Sequence, residues 1–211
     1  MGQDRHVMIG GRDVFASAAH AFARLVQVLP ADSFARPGLG EWDLRALVGH
    51  TSRSLVTVST YLQSPASTAD LAGPVEYYAA MRGFMSDAGA EAIIERGRQA
   101  GRDLGSDPAA AVDALASRAL DDIDDAGDPL ITVIGGYGIR LSGYLPTRIF
   151  ELAVHSLDIA RATGLSADLP KEVLEVASVL ATQIAVELGE GETVLMALTG
   201  RTELPRTFSV T

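Results

Sequence analysis

Apolar residues recur every three to four positions over most of this chain, and that spacing predicts a succession of helices. Over residues 12–29, Val14, Phe15, Ala18, Ala21, Phe22, Leu25, Val28 and Leu29 share one face, and Pro30 marks the end. Residues 34–40, with Pro37, Gly38 and Gly40, read as a loop. Trp42-Asp43-Leu44 opens a second helix to about residue 62, with Asp43 as a capping candidate. Trp42 stands where it would fix the angle at which the chain enters that helix. After a small-residue linker over 63–73, a third helical pattern starts at Pro74 and runs towards residue 104. Its glycines (Gly83, Gly89, Gly97, Gly101) allow a break around 87–89. Asp107-Pro108 reads as a cap followed by a first-turn proline, starting a helix to about residue 126.

The period then changes. Residues 130–134 and 139–142 are short β-type runs around Gly135-Gly136-Tyr137-Gly138, which predicts a hairpin or flap. Helical spacing returns over 146–163, closed by Gly164, and again over 172–188. The tail holds a short apolar piece over 193–198. There is no internal repeat and no linker long enough to split the chain, so residues 1–211 read as one domain. Helices of bundle length with one small β excursion predict an all-α fold, a helical bundle with extra helices and a small hairpin.

The segment over 146–163 departs from ordinary amphipathicity. Ile149, Phe150, Leu152, Ala153, Val154, Leu157, Ile159 and Ala160 make it apolar almost all round, the pattern of a buried helix. Yet Arg148, Glu151, His155 and Asp158 lie within it. At about 100° per residue these four project within roughly 80° of one another. Glu151 and His155 are four apart and therefore neighbours. Burying a carboxylate and an imidazole is costly unless something binds them. A buried ion pair or a satisfied core histidine would do so, and for this helix taken alone that is the simpler reading. A divalent metal would do so as well.

Composition narrows the chemistry. The net charge of −10 argues against nucleic acid and anionic membrane surfaces as partners. No run is apolar and long enough to span a membrane, and no secretory signal is visible, so a cytoplasmic location is expected. The absence of cysteine excludes disulfides, a thiolate nucleophile and cysteine-ligated zinc. Any metal must be held by His, Asp and Glu. The acidic run Asp121-Asp122-Ile123-Asp124-Asp125 lacks the spacing and glycine of a calcium loop and reads as a solvated helix end. The Gly135–Gly138 turn lacks the spacing and lysine of a phosphate loop.

Of the four histidines, His6 precedes the first predicted helix and His20 reads as an ordinary surface or core residue. His50, Glu151 and His155 would supply the three protein ligands of an open zinc site from two facing helices. The spacing is not HExxH, and no G-x-S-x-G elbow is present, so neither a metalloprotease nor a serine hydrolase is indicated.

GLGEWDLRALVGHTSRS (38–54) and RIFELAVHSLDIARATG (148–164) resemble the two metal motifs of the DinB-like superfamily, and more closely its mycothiol-dependent maleylpyruvate isomerase N-terminal-domain branch. There a Trp leads into a helix carrying the first His, and the second motif is E-x3-H with an Asp three residues on. Trp42, His50, Glu151, His155 and Asp158 match. The closing ALTGR (197–201) is similar to the ends of such domains. The resemblance implies a DinB-like four-helix bundle binding zinc, or another divalent ion such as nickel, through His50, Glu151 and His155. It implies mycothiol as thiol co-substrate, an electrophile as second substrate, and compatibility with a homodimer. The isomerase carries a further C-terminal domain, whereas few residues here follow the last predicted helix. A thiol S-transferase-like enzyme is therefore expected first. A non-catalytic metal- or small-ligand-binding protein and an isomerase-type enzyme are the alternatives. Asp158 would orient a ligand imidazole or pair with Arg148 or Arg161. Arg148 is a pocket candidate, and Tyr137, Tyr144 and Arg201 are candidates for the mouth.

Overall fold

The structure is a computed structural model that describes residues 3–210. Eight helices occur among the described residues: α1 (Gln3–Gln27), α2 (Leu44–Leu62), α3 (Pro74–Ala88), α4 (Ala90–Asp103), α5 (Pro108–Asp124), α6 (Leu141–Thr163), α7 (Lys171–Glu187) and α8 (Gly191–Leu198). Four of them make the bundle. α1 packs on α5 and α6, and α2 packs on the same two helices from the other side. Phe15 and Phe22 of α1, Leu47 and Leu55 of α2, Ile123 of α5 and Ile149 and Leu152 of α6 are fully buried between them. Each such side chain contributes roughly 1.5–3 kcal/mol by leaving water. α7 covers α6, α1 and α3, and α4 lies along the outside of α2. This is the all-α, DinB-like architecture expected from the spacing and the two motifs.

Two antiparallel β pairs punctuate the helices. β1 (Pro37–Leu39) pairs with β2 (Trp42–Asp43), and β3 (Leu130–Thr132) pairs with β4 (Gly138–Arg140) in the register Ile131 opposite Ile139. The 63–73 linker is not free of the hairpin: Pro65 bridges to Ile131 and Leu71 to Ile139.

Several boundaries differ from expectation. The 34–40 loop contains β1, and Trp42-Asp43 is a strand rather than the first turn of α2, which begins at Leu44. Asp43 nevertheless caps it, its Oδ1 accepting the Ala46 N–H at 2.7 Å. The long third pattern is two helices, with the break that its glycines allow falling at Gly89, whose φ of 75° admits glycine readily. The hairpin strands are shorter than their apolar runs. Ile134–Gly136 forms a 3-10 turn, and Leu141 and Ser142 belong to α6. α6 thus starts five residues before Pro146, since Asp128 across the chain accepts from both Ser142 N (2.8 Å) and Ser142 Oγ (3.0 Å) and satisfies the new N-terminus. The 193–198 piece is part of α8, and α1 begins at Gln3 rather than residue 12. The His6 side chain lies outside the described residues. His20 is exposed.

Candidate metal centre

His50 stands on the second turn of α2, and Glu151 and His155 stand one turn apart on the face of α6 that meets α2. One ligand atom from each of the three lies within 4.8 Å of the other two. Among the described residues this is the one group of three or more His, Asp and Glu side chains that converges in this way.

α4 helps to fix His50. A Cβ on Gly49 would fall 2.2 Å from the Gly101 backbone nitrogen, so the backbones of α2 and α4 touch beside the histidine. Trp42 is wedged into the same contact. Its Nε1 donates to the Ile94 carbonyl at 2.9 Å, and a Cβ on Gly97 would meet its ring at 2.6 Å. The indole in turn lies against the His50 imidazole, with 4.4 Å between ring centroids. The Trp expected to anchor the helix therefore also holds the candidate ligand.

Each candidate ligand is differently supported. Burial, followed by the charge of His155, pushes the His50 pKa down to about 4 against the pull of Glu151, so its ring is neutral at pH 7. Among the described residues, its buried Nδ1 has no hydrogen-bond partner. A buried ring nitrogen left unpaired is unusual in a native interior. His155 is held from both ends: Nδ1 lies 3.1 Å from Asp158 Oδ2 and Nε2 lies 3.3 Å from Glu151 Oε2. Burial lowers its pKa, but Asp158 and Glu151 together outweigh burial and raise it to about 9. Burial would raise the Glu151 pKa; hydrogen bonding to His155 and the charge of Arg148 reverse this and hold it at about 2. Glu151 is therefore a carboxylate, its Oε1 accepting the Tyr78 hydroxyl at 2.7 Å.

These features test a divalent ion against the pure ion-pair reading. A protonated His155 between two carboxylates is a self-sufficient ion pair, and it accounts for Glu151 and Asp158. It leaves His50 Nδ1 unexplained. Two imidazoles and a carboxylate suit zinc, and Asp158 on the far nitrogen of His155 is the partner that orients a ligating imidazole. The donor set fits a divalent ion, with a proton and the ion competing for His155 Nε2. The side chains of His155 and Glu151 keep 14% and 23% exposure, so the group is not sealed.

The opening is a cavity of about 370 Å³ lined by His50, Arg53, Tyr77, Arg148, Glu151 and His155 among others, with Ile134 of the hairpin at its wall. Arg148 is buried; its Nε donates to Thr147 Oγ1 at 3.0 Å and its guanidinium sits 4.9 Å from the Tyr144 ring centroid. Asp158 pairs with His155 rather than with Arg148 or Arg161. Of the mouth candidates, Tyr144 lines the cavity, whereas Tyr137 and Arg201 are exposed and do not. Sequence reasoning missed Tyr78, Tyr77 and Arg53. Each is an ordinary residue of a helix face until the fold brings α3 and α2 against α6.

An all-α bundle with two histidines and a glutamate converging between two core helices defines a DinB-like protein with a candidate metal centre. The family model described as "Mycothiol maleylpyruvate isomerase N-terminal domain" matches residues 15–160, and the chain belongs to that family. The matched span contains all three candidate ligands and ends before α7. The fold is similar to one described as "Crystal structure of the mycothiol-dependent maleylpyruvate isomerase", with a TM-score of 0.55 and 15% identity over 84% of this chain and 69% of that one. No curated protein matches the chain. No helix among the described residues is long and apolar enough to cross a membrane.

Proposed function

We propose that this protein binds one divalent ion, zinc or a similar metal such as nickel, through His50, Glu151 and His155, and uses the site to transfer a thiol, mycothiol, to a small electrophile. The observation that carries the metal is the convergence of one ligand atom each from His50, Glu151 and His155 within 4.8 Å, where, among the described residues, the buried Nδ1 of His50 has no hydrogen-bond partner. The family description supports mycothiol as the thiol.

The chain has no cysteine, so the sulfur nucleophile must come from a bound co-substrate. When bound, a divalent ion supplies positive charge that lowers the pKa of a thiol beside it. The chain's residues do the rest. His50, Glu151 and His155 hold the ion. Asp158 and Tyr78 keep His155 and Glu151 in place. The cavity walls position the second substrate and limit water. The thiol proton leaves to solvent through the open side, the sulfur forms a bond to carbon, and the leaving group departs with the carbon's bonding pair. No protein general base is needed.

The family description names an isomerase, and that favours a second reading in which the thiol is returned rather than consumed. Metal content by mass spectrometry, then conjugation of mycothiol to monochlorobimane, tests the first reading. Metal-loaded protein is expected to give one ion per chain and to consume thiol faster than the His50→Ala variant. Equal rates would remove the transferase reading.

A further inference from the structure

We infer that the segment after α8, residues 199–210, is a strap across the mouth of the cavity, and that its Val210 side chain restricts entry to the His–Glu–His group. That the guarded group is catalytic rests on the function proposed above; the strap rests on the residues alone. The cavity is lined mainly by α2, α3 and α6, yet Val210 is on its wall as well. α8 ends at Leu198, and the chain returns from there to the cavity. Along the way residues 199–207 and Ser209 are exposed, while Phe208 and Val210 are half-buried. A turn closes at the first of these two, its N–H donating to the Pro205 carbonyl at 2.9 Å, and Val210 packs against the bundle core. The segment is thus tied at one end by α8 and at the other by a small apolar seat.

Ile93 of α4, Ile134 of the hairpin turn and Val210 are half-buried apolar lining residues, and none stands on α2 or α6, which carry the candidate ligands. They rim the cavity rather than floor it. The hairpin part of this rim is fixed. The Val133 N–H donates to the Tyr137 carbonyl at 2.8 Å, and Asp70 Oδ2 accepts the Gly138 N–H at 2.7 Å. There is no room for a Cβ between Gly138 and the Thr68 carbonyl, so the hairpin is pressed onto the 63–73 linker. The stretch that the sequence offers as a flap is therefore the rigid side of the mouth. The strap is the yielding side. Burial stabilises in proportion to the apolar area removed from water, and half-burying one Phe and one Val removes little. Segments seated on so small an area open locally at low cost. A ligand can enter by lifting the strap, with every helix left intact.

The test is acylation of His50 by diethyl pyrocarbonate in the 211-residue chain after chelation, followed by peptide mass spectrometry, with His20 as the internal reference. His50 lines the cavity and its ring is neutral at pH 7, whereas His20 is exposed on α1. In the parent, His50 is expected to react at least tenfold more slowly than His20. Val210→Gly removes the side chain at the mouth and should raise the His50 rate at least threefold, with the His20 rate unchanged. Phe208→Ser leaves the cavity lining untouched but unseats the strap, and should raise the His50 rate at least twofold. Leu204→Ser, at an exposed position of the same segment that does not line the cavity, should leave it as in the parent. None of the three is a buried core residue, so each variant is expected to fold. A parent in which His50 reacts as fast as His20 would overturn the strap. So would a His50 rate that ignores Val210→Gly, or one that answers Val210→Gly but not Phe208→Ser. The chelated chain needs neither metal nor thiol, so a null result counts against the strap, whereas missing zinc stoichiometry counts only against the function proposed above.

Discussion

α6 and α7 follow one another in the chain and pack against each other, yet they spend their buried faces differently. α7 buries Val173, Ala177, Leu180, Ile184 and Ala185, spaced by three, four or one, and turns its charged residues to solvent. α6 buries Ile149, Leu152 and Ile159 in the same way, but it also buries Thr147, Arg148 and Ser156 and half-buries Glu151 and His155. A helix that only packs has no reason to carry a guanidinium, a carboxylate and an imidazole into the interior, where each must be compensated. On α6, Arg148, Glu151 and His155 open onto one cavity, so the cost is concentrated at one place. The charged and ionisable groups that α6 carries inward share one stripe, beside a helix that buries none, and that stripe marks the site.

The sharpest way to break this contrast is one truncation on each helix. His155→Ala is expected to abolish metal binding and to leave Asp158 and one Glu151 oxygen without their partner. Removing one member of a buried charged set costs about 3–5 kcal/mol. Leu180→Ala on α7 is expected to cost about 2–5 kcal/mol through the cavity it leaves. Its metal stoichiometry should match that of the parent at any temperature where both are folded. Denaturant melts and metal content on the same samples separate the two effects. A Leu180→Ala protein that lost metal while folded would show that the centre depends on general packing, and the distinction between the helices would fail.

A smaller effect is expected at Tyr78, which reaches Glu151 from α3. Tyr78→Phe keeps the ring, which packs edge-to-face on Phe150, and removes only the hydroxyl that donates to Glu151 Oε1. Loss of a partner that orients a metal ligand typically weakens metal binding 10–100-fold. Competition with a chromophoric chelator should find a shift in that range with one ion per chain retained at saturation. An unchanged affinity would mean that Glu151 is placed by α6 and His155 alone.

Much of this arrangement was legible before folding. The spacing marked the bundle helices, Asp43 and Asp107 cap as expected, and the chain breaks at Gly89. The polar stripe on α6 could be read because its residues are local, three and four apart. What could not be read is long-range. Asp128 starts α6 ahead of Pro146 through bonds to Ser142, a partner that no helical period announces. Trp42 pairs as a strand with Leu39 because the backbone turns at Gly40, where φ is 58°, and Trp42 then has α4 to lean on. Tyr78 and Arg53 acquire meaning only when α3 and α2 close on α6. The three candidate ligands lie between these cases: Glu151 and His155 are local, whereas His50 was joined to them by motif order.

The last comparison sets His50 against the other histidine of a bundle helix, His20, and the expected effect is the smallest. His20 is on α1, exposed, and absent from the cavity wall. Surface substitutions away from such features usually change stability by less than about 0.5 kcal/mol. His20→Ala should therefore leave both the melt and the metal content unchanged. His50→Ala differs in each respect. It removes the ring stacked on Trp42, whose fluorescence should change because it is the chain's single Trp, and it removes the nitrogen that no group among the described residues satisfies. Deleting an unpartnered buried nitrogen need not destabilise the metal-free fold much, since it also relieves a desolvated polar atom. The diagnostic result is thus a variant near normal in stability without metal, unable to gain stability when zinc is added. If His20→Ala and His50→Ala lost metal alike, the third ligand would not be His50, and the polar stripe of α6 would return to the ion-pair reading.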